Sequence, residues 1–154
     1  MKNPQTLAEK LYQQFPTAKL REIKDNACCA FTFMWVLGYE PDDAEAIITV
    51  GRMIDAKVLD PDCTVYWDKV SRYLTGRGCS KVNAKITSIK NIKKRTPVYY
   101  ERTYIDENGQ KRKKGHWIGV ENGKIGFNSI EHSLCVEQGK PTEARILTFT
   151  GETK

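Results

Sequence analysis

The sequence lacks a long apolar run. Its longest nearly apolar stretch, residues 27–38, is shorter than the roughly 20 residues that a membrane-spanning helix needs, and Thr32 interrupts it. The first residues lead into a charged segment instead of the apolar core of a secretory leader. We therefore expect no membrane partner and a cytoplasmic location.

Paired cysteine spacings are also missing. The five cysteines are odd in number and include no CxxC pair; they stand at positions 28, 29, 63, 79 and 135. This pattern does not suit a disulfide framework. With only two histidines, His116 and His132, the chain also lacks the clustered ligands of a tetrahedral zinc site. We expect free thiols, no metal and no cofactor.

Internal repeats and tracts rich in proline, glycine or serine are absent as well. The content of 40% hydrophobic and 29% charged residues is typical of a globular chain, and 154 residues suit one core. We predict a single α+β domain over residues 1–154. Its helical part should cover about residues 1–78, and an antiparallel sheet should cover about residues 79–150.

The net charge of +6 is concentrated in two basic runs, residues 90–95 and 111–114. We interpret them as solvated loops that flank strands. An acidic substrate or partner is the sharper alternative. Nucleic acid is the less favoured ligand, because binding by charge alone needs a groove and usually interleaved aromatic residues.

The spacing of apolar residues predicts four helices in the first half. Thr6 is the expected N-cap of the first helix, with Glu9 as its capping-box partner. The second helix is apolar nearly all round and should lie at the centre of the core, ending at Gly38. The four predicted helices cover residues 6–15, 26–37, 44–53 and 62–74.

Beyond residue 81 the apolar period changes to two, which indicates half-buried strands. The clearest hairpin signal is Asn122-Gly123, because both residues accept the positive φ angles of a type I′ turn. The predicted strands cover residues 81–88, 98–105, 113–120 and 144–149, with a further strand after the Asn-Gly turn.

The register of this hairpin brings two polar residues together. If the loop has two residues, Glu121 pairs with Lys124, and counting outward places Trp117 opposite Asn128 and His116 opposite Ser129. His116 and Asn128 should then lie side by side. An amide beside an imidazole fixes the tautomer of a general base.

Two cysteines open the predicted central helix. Unpaired N–H groups and the helix dipole at such a position favour a thiolate at Cys28 or Cys29. The same N–H groups can stabilise an oxyanion after attack on an acyl carbon. The opposing interpretation is that a cysteine on a buried helix is an inert small hydrophobe, and that Asn128 only forms a turn.

The ordered set of motifs resembles the papain-like cysteine peptidases. It comprises a cysteine that opens a buried helix ten residues before Gly38, a strand that starts at residues 96–98, the segment GHWIGV at residues 115–120, and FNS at residues 127–129. The pattern is nearest to the bacteriocin-processing, double-glycine branch and its small bacterial and phage relatives, and it covers roughly residues 22–136. The resemblance implies a helical lobe that carries the nucleophile, packed on an antiparallel half-barrel that carries the base.

The resemblance also implies roles for individual residues. Cys28 corresponds to the nucleophile, His116 to the base and Asn128 to the orienting residue, and Cys29 is the alternative nucleophile. The family's glutamine before the cysteine is missing from residues 22–27, so Asn26 is expected to supply the oxyanion donor.

Two functions remain open at this point. The first is a thiol hydrolase that cleaves a peptide or amide bond in a peptide or protein substrate, with Trp117 as a wall of the substrate cleft. The second is an inactive papain-like binding module that recognises an acidic partner through its basic loops. A cell-wall amidase of the same chemistry is disfavoured by the lack of an export signal.

Overall fold

Six helices and a five-stranded antiparallel sheet make up residues 1–151, the part of the chain that the computed structural model describes. The helices are α1 (Pro4–Gln14), α2 (Ala18–Asn26), α3 (Cys28–Val36), α4 (Asp43–Asp55), α5 (Trp67–Thr75) and α6 (Leu134–Glu137). The strands are β1 (Cys79–Lys85), β2 (Thr96–Ile105), β3 (Lys111–Glu121), β4 (Lys124–Phe127) and β5 (Lys140–Phe149), in the order β1-β5-β2-β3-β4. The predicted α+β class is confirmed. No helix within residues 1–151 is long and apolar enough to cross a bilayer.

The first helix starts earlier than expected. Pro4 occupies its first turn, where the missing N–H of proline is harmless. Thr6 therefore lies inside α1, and its predicted role as N-cap is wrong. Its hydroxyl instead accepts a hydrogen bond from the backbone N–H of Glu131 at 2.9 Å.

Three further helix predictions need correction. Helix α2 was not expected, because most of its residues are polar and Ile23 is its only buried residue. The last helix of the first half begins at Trp67 instead of residue 62, since Cys63 adopts a positive φ of 65° that a helix does not allow. The short helix α6 lies in the second half of the chain, so helices are not confined to the first.

Helix α3 lies in the core, as predicted. Six of its nine residues are buried, and Trp35 packs against the sheet where two glycines leave room. A Cβ atom at Gly119 would lie 2.4 Å from the Trp35 ring, and one at Gly126 would lie 2.6 Å from it. These two glycines therefore let the central helix approach β3 and β4 closely.

The two faces of the sheet carry different residues. Alternation along β3 places His116 and Ile118 on one face, where Ile118 packs with buried Cys135 at the start of α6. Trp117 and Gly119 point to the opposite face, which α3 covers. The site residues of β3 are thus divided between two sides of the sheet.

The predicted two-residue turn at Asn122-Gly123 is confirmed, but the predicted register of the hairpin holds only next to the turn. Asn122 and Gly123 have φ angles of 53° and 72°, and Glu121 pairs with Lys124. Between Val120 and Gly119 the register shifts, so that Gly119 faces Phe127, where β4 ends. The predicted pairing of Trp117 with Asn128 is therefore wrong, because a bulge adds one residue to β4.

The first basic run is a largely exposed loop before β2, as expected, whereas the expectation of a loop is wrong for the second. The first run is attached to the hairpin turn, since Lys93 and Ile92 accept backbone hydrogen bonds from Asn122 and Gly123 at 2.8 and 2.7 Å. The second run lies within β3 itself. Both runs are therefore part of the folded framework.

Arg95 joins the first basic run to the core. Its guanidinium donates to the Trp35 carbonyl at 2.7 Å, near the C-terminal end of α3, and lies 4.3 Å from the centre of the Trp35 ring. It also pairs with Glu40 at 3.1 Å and Glu121 at 3.5 Å. One side chain thus connects the central helix, the loop after it and the hairpin.

We expect Arg95→Ala to lower the free energy of unfolding by about 2 kcal/mol, because it removes a charge-assisted hydrogen bond and a cation–π contact. The matched control is Lys93→Ala, which removes an exposed cation from the same run and should leave stability nearly unchanged. Urea unfolding followed by circular dichroism measures both. Equal effects of the two substitutions would contradict this role of Arg95.

Candidate functional site

Cys28 lies where the central helix meets the uncovered edge of β3. Strand β4 ends at Phe127, so the peptide groups of Trp117 have no strand partner on that side. The Thr32 hydroxyl donates to the Trp117 carbonyl at 3.2 Å, and the Trp117 N–H lowers the pKa of the Cys28 thiol. The start of α3 therefore lies beside the edge of β3 at Trp117, where a longer β4 would otherwise pair.

His116 is oriented by Asn128. Its Nε2 lies 2.7 Å from Oδ1 of Asn128, and the backbone N–H of Ile130 donates to the same oxygen at 3.1 Å. Because a backbone N–H can only donate, the atom that receives it is the amide oxygen, so Nε2 of His116 must carry the proton. Nδ1 of the neutral ring is then free to accept a proton.

The segment that holds Asn128 is fixed by α1, which the sequence did not indicate. The Asn3 amide donates to the Asn128 carbonyl at 2.8 Å, and the Gln5 N–H donates to the Ser129 carbonyl at 2.9 Å. Nothing in the local sequence signals these contacts, because they join residues more than 120 positions apart.

Gln5 is a buried glutamine that precedes Cys28 in the chain, so we ask whether it can act as the missing oxyanion donor. Its side-chain amide donates to the Lys24 carbonyl at 2.9 Å, and its oxygen accepts the Ser129 hydroxyl. Both ends of this buried side chain are thereby used to join α2 to the segment after β4. Gln5 therefore positions the site and does not offer a free N–H to an oxyanion.

Two cavities meet at Cys28. The smaller, of about 310 Å³, is lined by Cys28 and His116, and the larger, of about 540 Å³, is lined by Cys28, Cys29 and Trp117. Cys29 does not line the cavity that contains the imidazole. The two cysteines are thus placed differently with respect to His116.

The larger cavity has an aromatic wall. The Trp117 ring lies 5.1 Å from the Tyr99 ring and 6.3 Å from the Trp67 ring, and the Arg145 guanidinium lies 4.7 Å from its centre. Gly115 borders both cavities, and a Cβ there would lie 1.6 Å from the Tyr99 hydroxyl. Trp117 therefore forms part of an aromatic wall in the larger cavity, and the missing side chain of Gly115 leaves room for the Tyr99 hydroxyl.

Asn26 has a different partner from the expected one. Its amide N–H donates to the Glu22 carboxylate at 2.7 Å, one turn earlier in α2, although the residue borders the larger cavity. The other donors near the thiol are the backbone N–H groups of Cys28 and Cys29, which lower the pKa of Cys28. An oxyanion at this place would be stabilised by backbone groups.

Burial keeps both reacting groups neutral. It raises the pKa of the Cys28 thiol despite the nearby N–H groups, and it holds the pKa of Cys29 well above its usual range. Burial also lowers the pKa of His116, an effect that the hydrogen bond to Asn128 opposes and the charge of Lys114 reinforces. The resting pair at neutral pH is therefore a thiol and an uncharged imidazole.

The second histidine, His132, also lines the smaller cavity. His132 is in an exposed turn, 3.9 Å from Glu131. All five cysteines are free thiols. No group of three or more acidic, histidine or cysteine side chains within residues 1–151 is arranged to hold a metal ion.

Comparison with known proteins finds no family model, no curated protein and no solved structure that matches this chain. The resemblance to papain-like peptidases therefore stays a prediction.

We expect the neutral imidazole of His116 to make stability depend on pH. Its pKa in the folded protein lies below the unfolded value of 6.5, so the unfolded chain binds more protons and stability is lost as the pH falls below about 6.5. His116→Gln should reduce this loss between pH 7 and pH 5, measured by urea unfolding. His132→Gln is the control, because its side chain is 81% exposed. If His116→Gln lost as much stability between pH 7 and pH 5 as the unsubstituted protein does, the expectation would be contradicted.

Proposed function

We propose that this protein is a papain-like thiol hydrolase that cleaves a peptide or amide bond. In this proposal Cys28 is the nucleophile, His116 the general base and Asn128 the residue that orients it. The supporting observation is the 2.7 Å contact between His116 Nε2 and Asn128 Oδ1, which leaves Nδ1 as the basic nitrogen of a residue that lines one cavity together with Cys28.

The first half of the reaction forms an acyl-enzyme. The Cys28 thiol gives its proton to Nδ1 of His116 as the sulfur attacks the carbonyl carbon, and the oxyanion is stabilised by backbone N–H groups at the start of α3. The carbon–nitrogen bond then breaks, and Nδ1–H returns the proton to the leaving amine. A thioester remains on Cys28.

The second half restores the thiol. Water attacks the thioester carbonyl while Nδ1 of His116 takes its proton, and the imidazole then protonates the departing sulfur. The acid product leaves and no cofactor is consumed. Throughout both halves Asn128 keeps Nε2 protonated, so that the ring exchanges protons only through Nδ1.

Cys28 is preferred over Cys29 as the nucleophile because, of these two residues, Cys28 alone lines the cavity that His116 also lines. Burial raises the pKa of Cys29 further, and no N–H group offsets it. The free thiols also suit the reducing cytoplasm, where we place the reaction.

The inactive binding module is the second candidate. It is favoured by the raised pKa of Cys28, because a neutral thiol is less reactive than the thiolate of an ion pair. In this candidate the protein recognises an acidic partner through its basic loops, without turnover.

The test is cleavage of a broad peptide library, analysed by mass spectrometry, with the rate of thiol alkylation by iodoacetamide as a second readout. We expect Cys28→Ala and His116→Ala each to lose at least about a thousandfold in rate, since triad members act as a unit. Cys29→Ala is the matched control and should retain activity. Asn128→Ala should keep cleavage but lose rate, and Asn128→Asp should recover part of that loss.

The hydrolase would be contradicted if the intact protein cleaved no peptide and Cys28 reacted with iodoacetamide no faster than Cys29. Peptide binding that survives both Cys28→Ala and His116→Ala, without turnover by the intact protein, would instead support the binding module. Cleavage lost in Cys29→Ala but kept in Cys28→Ala would reverse the assignment of the nucleophile.

A further inference from the structure

The smaller cavity beside the imidazole contains two cations without acidic partners. Arg102 and Lys114 are directly opposite each other across β2 and β3, one residue pair beyond Tyr100 and His116 on the same face of the sheet. Residues two apart along a strand are separated by about 7 Å. An extended substrate residue spans about 3.5 Å, so the cations lie about two substrate residues along the backbone from the imidazole.

Neither cation has an acidic partner within residues 1–151, although the Arg102 guanidinium lies 5.0 Å from the centre of the Tyr104 ring. The Arg102 guanidinium makes one 3.4 Å hydrogen bond, to the neutral Gln138 amide, and its buried Nε has no acceptor within residues 1–151. Over the same residues the Lys114 ammonium has no hydrogen-bond or ion-pair partner. Like charges placed directly opposite each other across two strands are destabilising. A bound anion would relieve this repulsion.

The third cation of the cavity is already neutralised. Lys24 lies 2.7 Å from Asp25 and 3.4 Å from Glu9, and these contacts raise its pKa. Asp25 is in turn the only carboxylate that lines the smaller cavity among the described residues. The charge left over at this side of Cys28 is therefore that of Arg102 and Lys114.

The reaction itself decides which part of a substrate meets these cations. The imidazole must protonate the leaving amine, so the leaving group has to lie on the side of Cys28 that contains His116. The acyl part then lies on the other side, in the larger cavity with its aromatic wall. The leaving group, and not the acyl group, faces Arg102 and Lys114.

We infer that the smaller cavity is a subsite for a leaving amine that carries a carboxylate, held by Arg102 and Lys114. This inference rests on the proposed hydrolase function, and it narrows the substrate to amides with an acidic group just after the bond that is cleaved. The carboxylate is either the side chain of an aspartate or glutamate or the terminal carboxylate of a short leaving group. An Arg guanidinium suits either source, because it offers paired N–H donors to a carboxylate.

Binding to the Cys28→Ala protein tests the subsite without turnover. The probes are tripeptide amides that differ only in their first residue, glutamate, glutamine or lysine, together with the dipeptide Ala-Ala and its amide. We expect the glutamate peptide to bind about tenfold tighter than the glutamine peptide at low salt, and the lysine peptide to bind weakest. A preference for Ala-Ala over its amide would identify the terminal carboxylate as the source. High salt should reduce either preference.

Substitution of each cation tests whether Arg102 and Lys114 cause the preference for the acidic probe. Arg102→Gln and Lys114→Gln in the Cys28→Ala protein should each remove most of the preference for the acidic probe. The matched control is Lys111→Gln, which removes the same charge from the opposite face of the same strand. Equal binding of acidic and neutral probes, or an equal loss in Lys111→Gln and Lys114→Gln, would overturn the inference.

Turnover by the intact protein separates this inference from the proposed function. Peptides with glutamate or glutamine after the cleaved bond are compared by kcat/KM. Cleavage of both at equal rates would overturn the subsite and leave the hydrolase intact. No cleavage of either, with the binding preference retained in Cys28→Ala, would overturn the hydrolase while supporting the carboxylate subsite.

Discussion

The hydrogen bond from His116 Nε2 to Asn128 Oδ1 is the interaction on which the rest of the account depends. The Ile130 N–H settles which amide atom faces the ring, and the contacts from Asn3 and Gln5 hold the segment that carries Asn128. With Nε2 occupied, the ring can take a proton only at Nδ1. A buried and neutral imidazole with one free basic nitrogen is suited to act as a general base.

The second constraint is the early end of β4. The bulge opposite Gly119 turns the chain away at Phe127, and this leaves the Trp117 peptide for Thr32 and Cys28 at the start of α3. A cysteine at that edge borders both faces of the sheet, so it meets the imidazole on one side and the aromatic wall on the other. Because β4 stops pairing with β3 at this point, Cys28 borders two cavities, one that contains His116 and one with an aromatic wall.

The parts of the fold that rest on periodicity could be read from the sequence, and the parts that rest on distant contacts could not. The apolar central helix and the Asn122-Gly123 turn are local signals, and both are present in the structure. The bulge in β4 and the polar helix α2 have no such signal. His116 and Asn128 do meet, although the register that predicted it was wrong by one residue. Gln5 could not be found, because its partners at Lys24 and Ser129 come from other parts of the chain.

The most direct test of this account is the tautomer of His116, measured by nitrogen-15 NMR of the imidazole rings near pH 7.5. The chain has only two histidines, so His132→Gln assigns the signals. The account predicts a protonated Nε2 and an unprotonated Nδ1 for His116, with this preference weakened in Asn128→Ala. A proton on Nδ1, or a fully charged imidazolium at that pH, would contradict it.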